Sequence, residues 1–308
     1  MRAVDLFAGW GGFTLGAELA GVDVVWAANH WKLAVDAHEA NHPRTVHVCQ
    51  DLRQANWSSL PSFDLLLAAP ACQGHSQASQ PQRRPYHDEL RSTAWAVVDC
   101  ADATEPAAIV VENVLDLRRW RLYPTWCDAI RALGYTLTEL VVTATSHGVP
   151  QLRTRLFIVC VRGRRFTLSE PALAAPEPAF GPCVEWDAPG WRPLSQMQVG
   201  ARDRVLAAQR RRGPRFLSQH VTDHPGVPLS EPIRTITTKD QWVLVDGDRY
   251  RPLTVRELAR GMGFPDSYQW PDASRVDTIK GIGNAVCPPV ACEIVRQVAA
   301  PFQGRAAA

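Results

Sequence analysis

The first 165 residues alternate short apolar runs with longer amphipathic stretches, and this alternation constrains the fold more than any other feature. Alternation of this kind predicts an α/β fold with a doubly wound, mostly parallel sheet and helices on both of its faces. The predicted strands are Ala3–Phe7, Val22–Ala27, Phe63–Ala68, Ala108–Val111, Thr136–Thr143 and Leu156–Val161, and Val46–Cys49 is a further apolar run, the third along the chain. The predicted helices are Gly12–Ala20, Lys32–Asn41, Leu90–Ala103 and Thr125–Leu133.

The middle of the chain has a different texture. From about residue 167 to residue 232, prolines such as Pro171, Pro182 and Pro214 interrupt the periodicity, which predicts a separate, irregular module without a long periodic element. Between Arg192 and Arg215 there are seven arginines and one acidic residue. This segment carries a charge of about +6, so the remainder of the chain carries about −4. Helices are predicted again at Leu253–Met262 and from Val290 to about Ala299.

The composition limits the class of protein. A chain of 308 residues with 46% hydrophobic residues can bury a full core and is long enough for one large and one smaller domain. We expect a soluble cytoplasmic protein, because the first residues carry no basic leader and no apolar stretch reaches about 18 residues. The eight cysteines form no Cys-x-x-Cys pair, so we expect mostly buried thiols and no metal site.

A glycine-rich segment joins the first predicted strand to the first predicted helix. Gly9, Gly11 and Gly12 at this point would let the backbone approach a nucleotide-like ligand closely, although a merely tight turn is the alternative. Such folds place an acid about 20 residues later to bind the ribose hydroxyls. Here that position holds Asn29, whose amide can still bond a hydroxyl. Asp51, after the third apolar run, is suited to an adenine amino group.

Three polar segments lie at strand ends. Cys72 follows Phe63–Ala68 in a loop that contains Pro70 and Gly74, which favours a reactive thiol over a buried structural one. Glu112 ends an apolar strand, where it indicates a general acid, while the neighbouring amide also suits a helix cap. Three further side chains alternate at period two, so they either share one face or form a solvated charged edge: Gln151, Arg153 and Arg155.

Five motifs follow one another in a fixed order along the chain: the glycine turn, Pro70–Gln73, Glu112–Val114, Gln151–Arg155 and a late Gly-Asn-Ala-Val sequence. In this order the chain resembles the DNA cytosine-5 methyltransferase family of the bacterial restriction-modification type. The resemblance runs from residue 3 to about residue 298 and includes Leu253–Glu257. It implies a Rossmann-like S-adenosylmethionine-dependent fold, with residues 1–165 as the catalytic and cofactor-binding domain. Residues 166–234 would form a target-recognition domain, and residues 235–308 would return to the catalytic domain.

The resemblance also implies a reaction. The enzyme would methylate carbon 5 of a cytosine that is flipped out of a specific double-stranded DNA sequence. The Cys72 thiolate would add to carbon 6, and Glu112 would contact N3 and the exocyclic amine. Arg155, and more distantly Arg153, would orient the base and Glu112. Gln151 and Asn113 would fix the surrounding loops.

By the same resemblance, S-adenosylmethionine would contact Phe7, Gly9, Gly11, Gly12, Asn29, Asp51, Leu52, Pro70, Asn284 and Ala285. The loop after Cys72 would act as a lid over the flipped base. The residues expected at the DNA are Gln73, Ser76, Arg83, Arg84, Arg202, Arg204, Arg210, Arg211, Arg212 and Arg234. The expected partner is double-stranded DNA bound by a monomer in the nucleoid, with any cognate restriction endonuclease acting separately.

Three positions depart from the family pattern: Ala71 where a second proline is usual, His75 where an aromatic residue is common, and Asn29 in place of an acid. Replacing a proline frees φ in the segment that leads to the nucleophile. Three alternatives stay open: a catalytically silent DNA-binding relative, a tRNA cytosine-5 methyltransferase, and an enzyme of this scaffold that uses a more anionic sulfonium donor. The presence of both Cys72 and Glu112 argues against the silent relative.

Overall fold

A computed structural model describes residues 1–70, 93–167, 169, 177–219 and 225–303. The chain divides into two compact units. The larger unit contains residues 1–143, 154–172 and 285–308, and the smaller unit contains residues 144–153 and 173–284.

A seven-stranded sheet forms the centre of the larger unit, in the order β3-β2-β1-β4-β5-β8-β6. The strands β1 to β5 run parallel to one another, whereas β8 runs antiparallel to both of its neighbours, β5 and β6. This order confirms the predicted doubly wound, mostly parallel sheet. The strands are β1 (Arg2–Leu6), β2 (Asp23–Asn29), β3 (Val46–Cys49), β4 (Leu65–Ala68), β5 (Ala108–Asn113), β6 (Tyr135–Thr143) and β8 (Thr154–Arg162).

The central strands are apolar because both of their faces are covered. Every residue of β4 and β5 is buried, including the two polar residues that end β5. Strands in such a position consist of continuous apolar runs rather than alternating ones. The chain order of the strands reverses direction between β1 and β4, and ligands bind at the carboxyl ends of the strands at such a point in open α/β sheets.

The helices of the larger unit agree with the predicted ones apart from their ends. They are α1 (Gly12–Leu19), α2 (Lys32–Asn41), α3 (Trp95–Thr104), α4 (Tyr123–Ala132) and α8 (Pro288–Gln303). The predicted start of α3 at Leu90 lies outside the described residues. The last helix begins two residues before the predicted Val290, because proline is well tolerated in the first turn of a helix.

Helices α1 and α8 approach each other closely at Gly16. A Cβ atom at this position would lie 2.7 Å from the carbonyl oxygen of Pro288 and 2.8 Å from the backbone nitrogen of Cys292, and it would overlap the Ala291 side chain. Only glycine fits here without a backbone shift. The contact fixes α8 to the helix that follows the glycine turn.

The smaller unit contains a five-stranded sheet in the order β11-β10-β13-β14-β9, with antiparallel pairing throughout, and a parallel pair of β7 with β12. Its strands are β7 (Gln151–Leu152), β9 (Arg192–Pro193), β10 (Arg215–Gln219), β11 (Val227–Pro228), β12 (Ile233–Arg234), β13 (Trp242–Asp246) and β14 (Arg249–Pro252). Its helices are α5 (Val199–Arg212), α6 (Val255–Gly261) and α7 (Arg275–Asn284).

The prediction of an irregular middle module was wrong. Helix α5 is 14 residues long and lies in the segment between Pro193 and Pro214 that contains no proline. Val205 and Ala208 on one side of α5 pack with Phe216 of the sheet in a small core. Prolines therefore bound this helix without interrupting it.

A fully buried ion pair joins two elements of the smaller unit. Arg251 in β14 donates two hydrogen bonds to the carboxylate of Glu257 in α6, at 2.6 and 2.8 Å, and neither side chain is exposed. Glu257 also completes a capping box with Thr254 at the start of the helix. These contacts give the Leu253–Glu257 run a structural role.

The limits of the smaller unit differ from the predicted domain limits, because residues 235–284 group with it whereas we predicted that 235–308 belong to the catalytic domain. β13 and β14 pair with β10 in one sheet, which accounts for this grouping. The predicted functional boundaries stay a prediction. Five of the seven cysteines in the described ranges are buried, and none of the seven forms a disulfide. Within those ranges, no helix has the length and apolarity that a membrane span requires.

We predict that Gly16→Ala lowers the free energy of unfolding of the larger unit by about 1–3 kcal/mol, because the added methyl group meets backbone atoms of α8. Gly200→Ala is the matched control, since the nearest atom to its added Cβ, Arg204 Nη1, lies 3.8 Å away. Denaturant unfolding measures both variants. Equal stability of Gly16→Ala and the parent would contradict the packing described for α1 and α8.

Candidate active site

The glycine turn begins where β1 ends and leads into α1, at the reversal point of the sheet. Phe7 has a φ of 61°, which is unusual for a residue other than glycine, and Gly9 and Gly11 have φ values of 55° and 77°. Strained backbone of this kind is concentrated at ligand-binding sites. The turn thus presents backbone N–H groups at the start of a helix, where they suit an anionic or polar ligand.

Asp5 lies directly under this turn and was not assigned a role from the sequence. Its side chain is fully buried and accepts a hydrogen bond from the Thr14 hydroxyl at 2.7 Å. Burial raises the pKa of Asp5 to about 7, while hydrogen bonds from the side chain and backbone of Thr14 act in the opposite direction. A buried acid beside a glycine turn is a signal that the sequence contained, since Asp5 interrupts an otherwise apolar strand.

Asn29 ends β2 at the same edge of the sheet. Its side-chain oxygen accepts a hydrogen bond from the backbone N–H of Trp31 at 2.9 Å, so this oxygen belongs to a local turn. The amide group remains the part of Asn29 that can donate to a hydroxyl. The Trp31 ring meets Trp10 of the glycine turn edge to face, with centroids 5.9 Å apart.

Asp51 and Leu52 follow β3. The Asp51 carboxylate accepts hydrogen bonds from the Arg53 guanidinium at 2.6 and 3.0 Å and from the Arg53 backbone at 3.0 Å. The side chain of Arg53 lowers the pKa of Asp51, which is therefore ionised at neutral pH. Each carboxylate oxygen accepts two hydrogen bonds from Arg53, so an amino group of a ligand would take the place of one of these bonds. Leu52 is buried next to it.

The ends of β4 and β5 are joined by Asn113. Its amide donates a hydrogen bond of 3.0 Å to the carbonyl oxygen of Pro70, and its oxygen accepts one of 2.8 Å from the backbone of Val114. Asn113 therefore fixes Pro70, the last described residue before Cys72. Cys72 lies outside the described residues, as do Ala71, Gln73, His75, Ser76, Arg83 and Arg84.

Glu112 is held at the same edge by an arginine of β8. The Arg155 Nε lies 3.3 Å from Oε1 of Glu112, and the two side chains are 17% and 8% exposed. The antiparallel pairing of β8 with β5 causes this, because Glu112 is opposite Phe157 and Asn113 is opposite Leu156. A buried carboxylate with a guanidinium partner can hold a fixed orientation towards a base.

Gln151 and Arg153 do not share this role. The Gln151 amide group donates to the carbonyl of Gly261 and accepts from the N–H of Ile236, at 2.9 and 2.8 Å. Arg153 donates to the carbonyls of Ile236 and Gly283, at 3.3 and 3.1 Å. Both side chains are buried in the smaller unit, whereas Arg155 pairs with Glu112 in the larger one. The alternation at period two exists, but the three side chains bind different parts of the chain.

Arg153 supports the segment that ends in Asn284. Asn284 is the exposed last residue of α7, and Ala285 is buried in the larger unit. A Cβ atom on Gly283 would overlap the backbone of Thr237 and lie 2.6 Å from the nitrogen of Thr238. The segment 236–238 was missed from the sequence, because only this close approach and the bonds to Gln151 and Arg153 reveal it.

The predicted DNA-contacting arginines in the described ranges lie on α5 and β12. Arg210, Arg211 and Arg212 form the exposed last turn of α5, and Arg202 and Arg204 are half-buried on the same helix. Arg212 lies 3.8 Å from Glu231, and Arg234 is exposed on β12. The end of α5 therefore presents adjacent cations to solvent, as a phosphate-binding surface requires.

Comparison with known proteins gives one consistent result. The profile of the family described as C-5 cytosine-specific DNA methylase matches residues 1–180 and 192–300. The Type II methyltransferase M.NlaX of Neisseria lactamica is 29% identical over 97% of this chain and 96% of its own length. M.HhaI of Haemophilus parahaemolyticus is 26% identical over 93% of this chain and 90% of its own. The solved structure of S. pombe Dnmt2 methyltransferase superposes with a TM-score of 0.71 at 17% identity, covering 98% of this chain and 99% of that one.

We predict that Arg153→Met and Arg155→Met loosen different units. Arg153→Met leaves two backbone carbonyls without their donor, which costs about 1–3 kcal/mol and should speed hydrogen exchange at residues 233–238 and 281–284. Arg155→Met should speed exchange at the ends of β5 and β8 instead. Hydrogen exchange followed by mass spectrometry measures both, and faster exchange around Glu112 in Arg153→Met would contradict this division.

Proposed function

Because the chain belongs to the C-5 cytosine-specific DNA methylase family and is a DNA (cytosine-5)-methyltransferase, we propose that Cys72, Glu112 and Arg155 carry its reaction at the carboxyl edge of the larger sheet. The observation that supports this most strongly is the buried Glu112–Arg155 pair, which lies at the sheet edge formed by the carboxyl ends of the parallel strands. Asn113, the next residue, bonds to the segment that leads to Cys72.

The proposed methyl donor is S-adenosylmethionine, and the glycine turn fits it. The positive φ values of Phe7, Gly9 and Gly11 turn the backbone into the crevice at the start of α1. Gly12 begins the helix, Asn29 offers its amide to the ribose, and Asp51 with Leu52 offers an ionised carboxylate and an apolar wall to the adenine. Pro70, Asn284 and Ala285 complete the proposed contacts. When bound, this cofactor supplies an electrophilic methyl group for carbon 5.

Glu112 is proposed as the acid that contacts the target base. Carbon 5 of cytosine is a weak nucleophile, and attack of the Cys72 thiolate on carbon 6 makes it enamine-like. A proton from Glu112 at N3 prevents negative charge from accumulating on the ring during this attack. Arg155 keeps the Glu112 carboxyl group oriented. After methylation, a base from solvent would take the proton of carbon 5, the Cys72 thiolate would leave carbon 6 as the ring double bond re-forms, and N3 would return its proton to Glu112.

Gln151 and Arg153 are proposed to act indirectly, through the backbone segment that they support. They bind the backbone at residues 236, 261 and 283, and so they support the segment that carries Asn284. A displacement of a supporting segment by about 1 Å can reduce a rate about 100-fold. Their contribution is thus the position of Asn284 relative to its neighbours in the smaller unit.

The DNA-binding surface is proposed to include the exposed end of α5. Arg210 and Arg211 are exposed, and phosphate contacts from such arginines provide affinity and register without reading the sequence. Arg202, Arg204, Arg212 and Arg234 are the other candidates in the described ranges. Gln73, Ser76, Arg83 and Arg84 are proposed to line the loop over the flipped base.

The target is proposed to be a specific sequence in double-stranded DNA. We further propose that the enzyme binds it as a monomer in the nucleoid, and that any cognate restriction endonuclease is a separate protein. Residues 166–234 are the proposed target-recognition domain. The small core that anchors α5 supports this assignment, because it holds in place the helix that carries the arginines.

We predict that Cys72→Ala abolishes modification and that Glu112→Gln slows it about 100-fold or more, since a missing nucleophile cannot be replaced whereas general acid catalysis contributes about 10²–10⁴-fold. Bisulfite sequencing of plasmid DNA from expressing cells identifies the modified base and its sequence. Purified enzyme with labelled donor gives the rates.

Cys292→Ala and Glu139→Gln are the matched controls, because both residues lie in the same unit outside the proposed site. Both should modify DNA at the parent rate. Modification by Cys72→Ala at the parent rate would contradict the mechanism alone. An unmodified plasmid, with modified tRNA from the same cells, would instead identify RNA as the substrate.

We also predict that Arg210→Ala/Arg211→Ala weakens DNA binding to the same extent for all sequences. The double variant should also lower the salt dependence of log Kd by about one unit for each phosphate that it no longer neutralises. Arg118→Ala, an exposed arginine paired with Glu139, is the control. Fluorescence anisotropy over a range of salt concentrations measures both. An unchanged slope for the double variant would remove the end of α5 from the proposed DNA-binding surface.

A further inference from the structure

A series of hydrogen-bonded polar side chains runs from the partly buried His47 in β3 to the buried Asp5 in β1, the strand that precedes the glycine turn. His47 Nε2 lies 2.8 Å from His38 Nδ1, and His38 Nε2 lies 3.0 Å from the Thr14 hydroxyl. The Thr14 hydroxyl donates to Asp5 at 2.7 Å. His38 is 1% exposed, and Thr14 and Asp5 are completely buried. The proposed reaction uses none of these four residues.

The direction of each hydrogen bond in this series follows from the single proton of the Thr14 hydroxyl. When Asp5 is ionised, that proton is donated to Asp5, so the Thr14 oxygen then accepts from His38 Nε2. Burial lowers the pKa of His38 well below its usual value, with repulsion from His42 and His47 in the same direction. His38 is therefore neutral, and its Nδ1 accepts from His47. Every bond points towards Asp5.

Asp5 connects the two ends of the glycine turn. It lies in β1 immediately before Leu6, while Thr14 is the third residue of α1, so the contact between them spans residues 7 to 11. The backbone of Thr14 also forms a hydrogen bond that favours the charged form of Asp5. Oδ1 of Asp5 is buried without a partner among the described residues. The orientation of the carboxyl group thus depends on Thr14.

We propose that Thr14, His38 and His47 are positioning residues for S-adenosylmethionine. Their hydrogen bonds orient Asp5, and Asp5 holds the glycine turn in the conformation that binds the cofactor. The inference rests on the proposed S-adenosylmethionine site. None of the four side chains needs to touch the cofactor. Their effect is on the backbone of the turn, whose positive φ values require support from the surrounding structure.

Among the described residues, few ionisable groups surround the hydrogen-bonded series of Asp5, Thr14, His38 and His47. The His42 ring is tilted against the His38 ring with centroids 4.6 Å apart, and its Nδ1 lies 2.9 Å from a carboxylate oxygen of Glu18. Glu39 acts on His47, whose pKa is lowered mainly by burial. No charged side chain is among the causes that shift the pKa of Asp5. Titration of Asp5 therefore depends on burial and on Thr14.

The experiment compares hydroxyl and imidazole variants by their dissociation constants for S-adenosylmethionine and by kcat at saturating donor. Thr14→Val removes the donor to Asp5, and Thr14→Ser restores it. His38→Leu removes the donor to Thr14, whereas His38→Gln keeps an N–H near the position of Nε2. Thr138→Val is the control. Thr138 lies in β6, at the edge of the sheet opposite β3, and its hydroxyl donates a hydrogen bond of 2.9 Å to the Phe166 carbonyl, which the valine would lose.

We expect Thr14→Val and His38→Leu to raise the dissociation constant about tenfold, while kcat at saturating donor changes by less than about twofold. Thr14→Ser and His38→Gln should stay within about threefold of the parent, and Thr138→Val should bind as the parent does. Parent-like binding by both Thr14→Val and His38→Leu overturns the inference. If Thr14→Val does not fold, the two His38 variants decide.

The pH dependence of binding separates positioning from a loss of stability. In the parent, binding should strengthen as the pH rises through about 7, because the ionised Asp5 accepts the stronger hydrogen bond. Thr14→Val removes the hydroxyl bond to Asp5, which also lowers the pKa of Asp5, so the change in binding with pH should become smaller and move to higher pH. An unmoved transition overturns the inference. A parent that does not bind S-adenosylmethionine contradicts the proposed cofactor site itself, and parent binding distinguishes the two failures.

Discussion

The pairing of one antiparallel strand with the edge of a parallel sheet places the two charged residues on which the proposed site depends. β8 runs against β5, so the start of one strand meets the end of the other, and Arg155 comes to lie beside Glu112. A carboxylate in this position is buried and would be costly without a cation. Asn113 then connects the same strand end to Pro70 of the neighbouring β4 segment. The positions of Glu112, Arg155 and Pro70 thus follow from strand register.

Sequence periodicity was sufficient for the larger unit. Apolar runs and glycines act locally, so β1, the glycine turn and α1 could be predicted within one or two residues. Glu112 and Asn113 were also recognisable, because polar residues at the end of an apolar strand require a reason. The smaller unit was predicted less well: α5 is bounded by prolines and has arginines on several sides, so it gave no amphipathic signal.

Contacts between residues distant in sequence explain the remaining differences. Arg153 and Arg155 are two residues apart and identical in type, yet one binds the backbone at 236 and 283 and the other binds Glu112. Likewise, nothing near Asp5 in the sequence indicates that His38 and His47 complete its hydrogen bonds. Such pairings arise only when α2 packs on a sheet in which β2 lies between β3 and β1, which is a property of the folded sheet.

Covalent trapping on DNA that contains 5-fluorocytosine tests the central claim most directly. The fluorine cannot leave carbon 5 as a proton does, so the bond between enzyme and carbon 6 persists after methyl transfer. In the presence of S-adenosylmethionine, we predict a protein–DNA adduct whose digestion places the modified base on Cys72. The absence of an adduct from an enzyme that methylates ordinary DNA, or an adduct on another residue, would contradict the account.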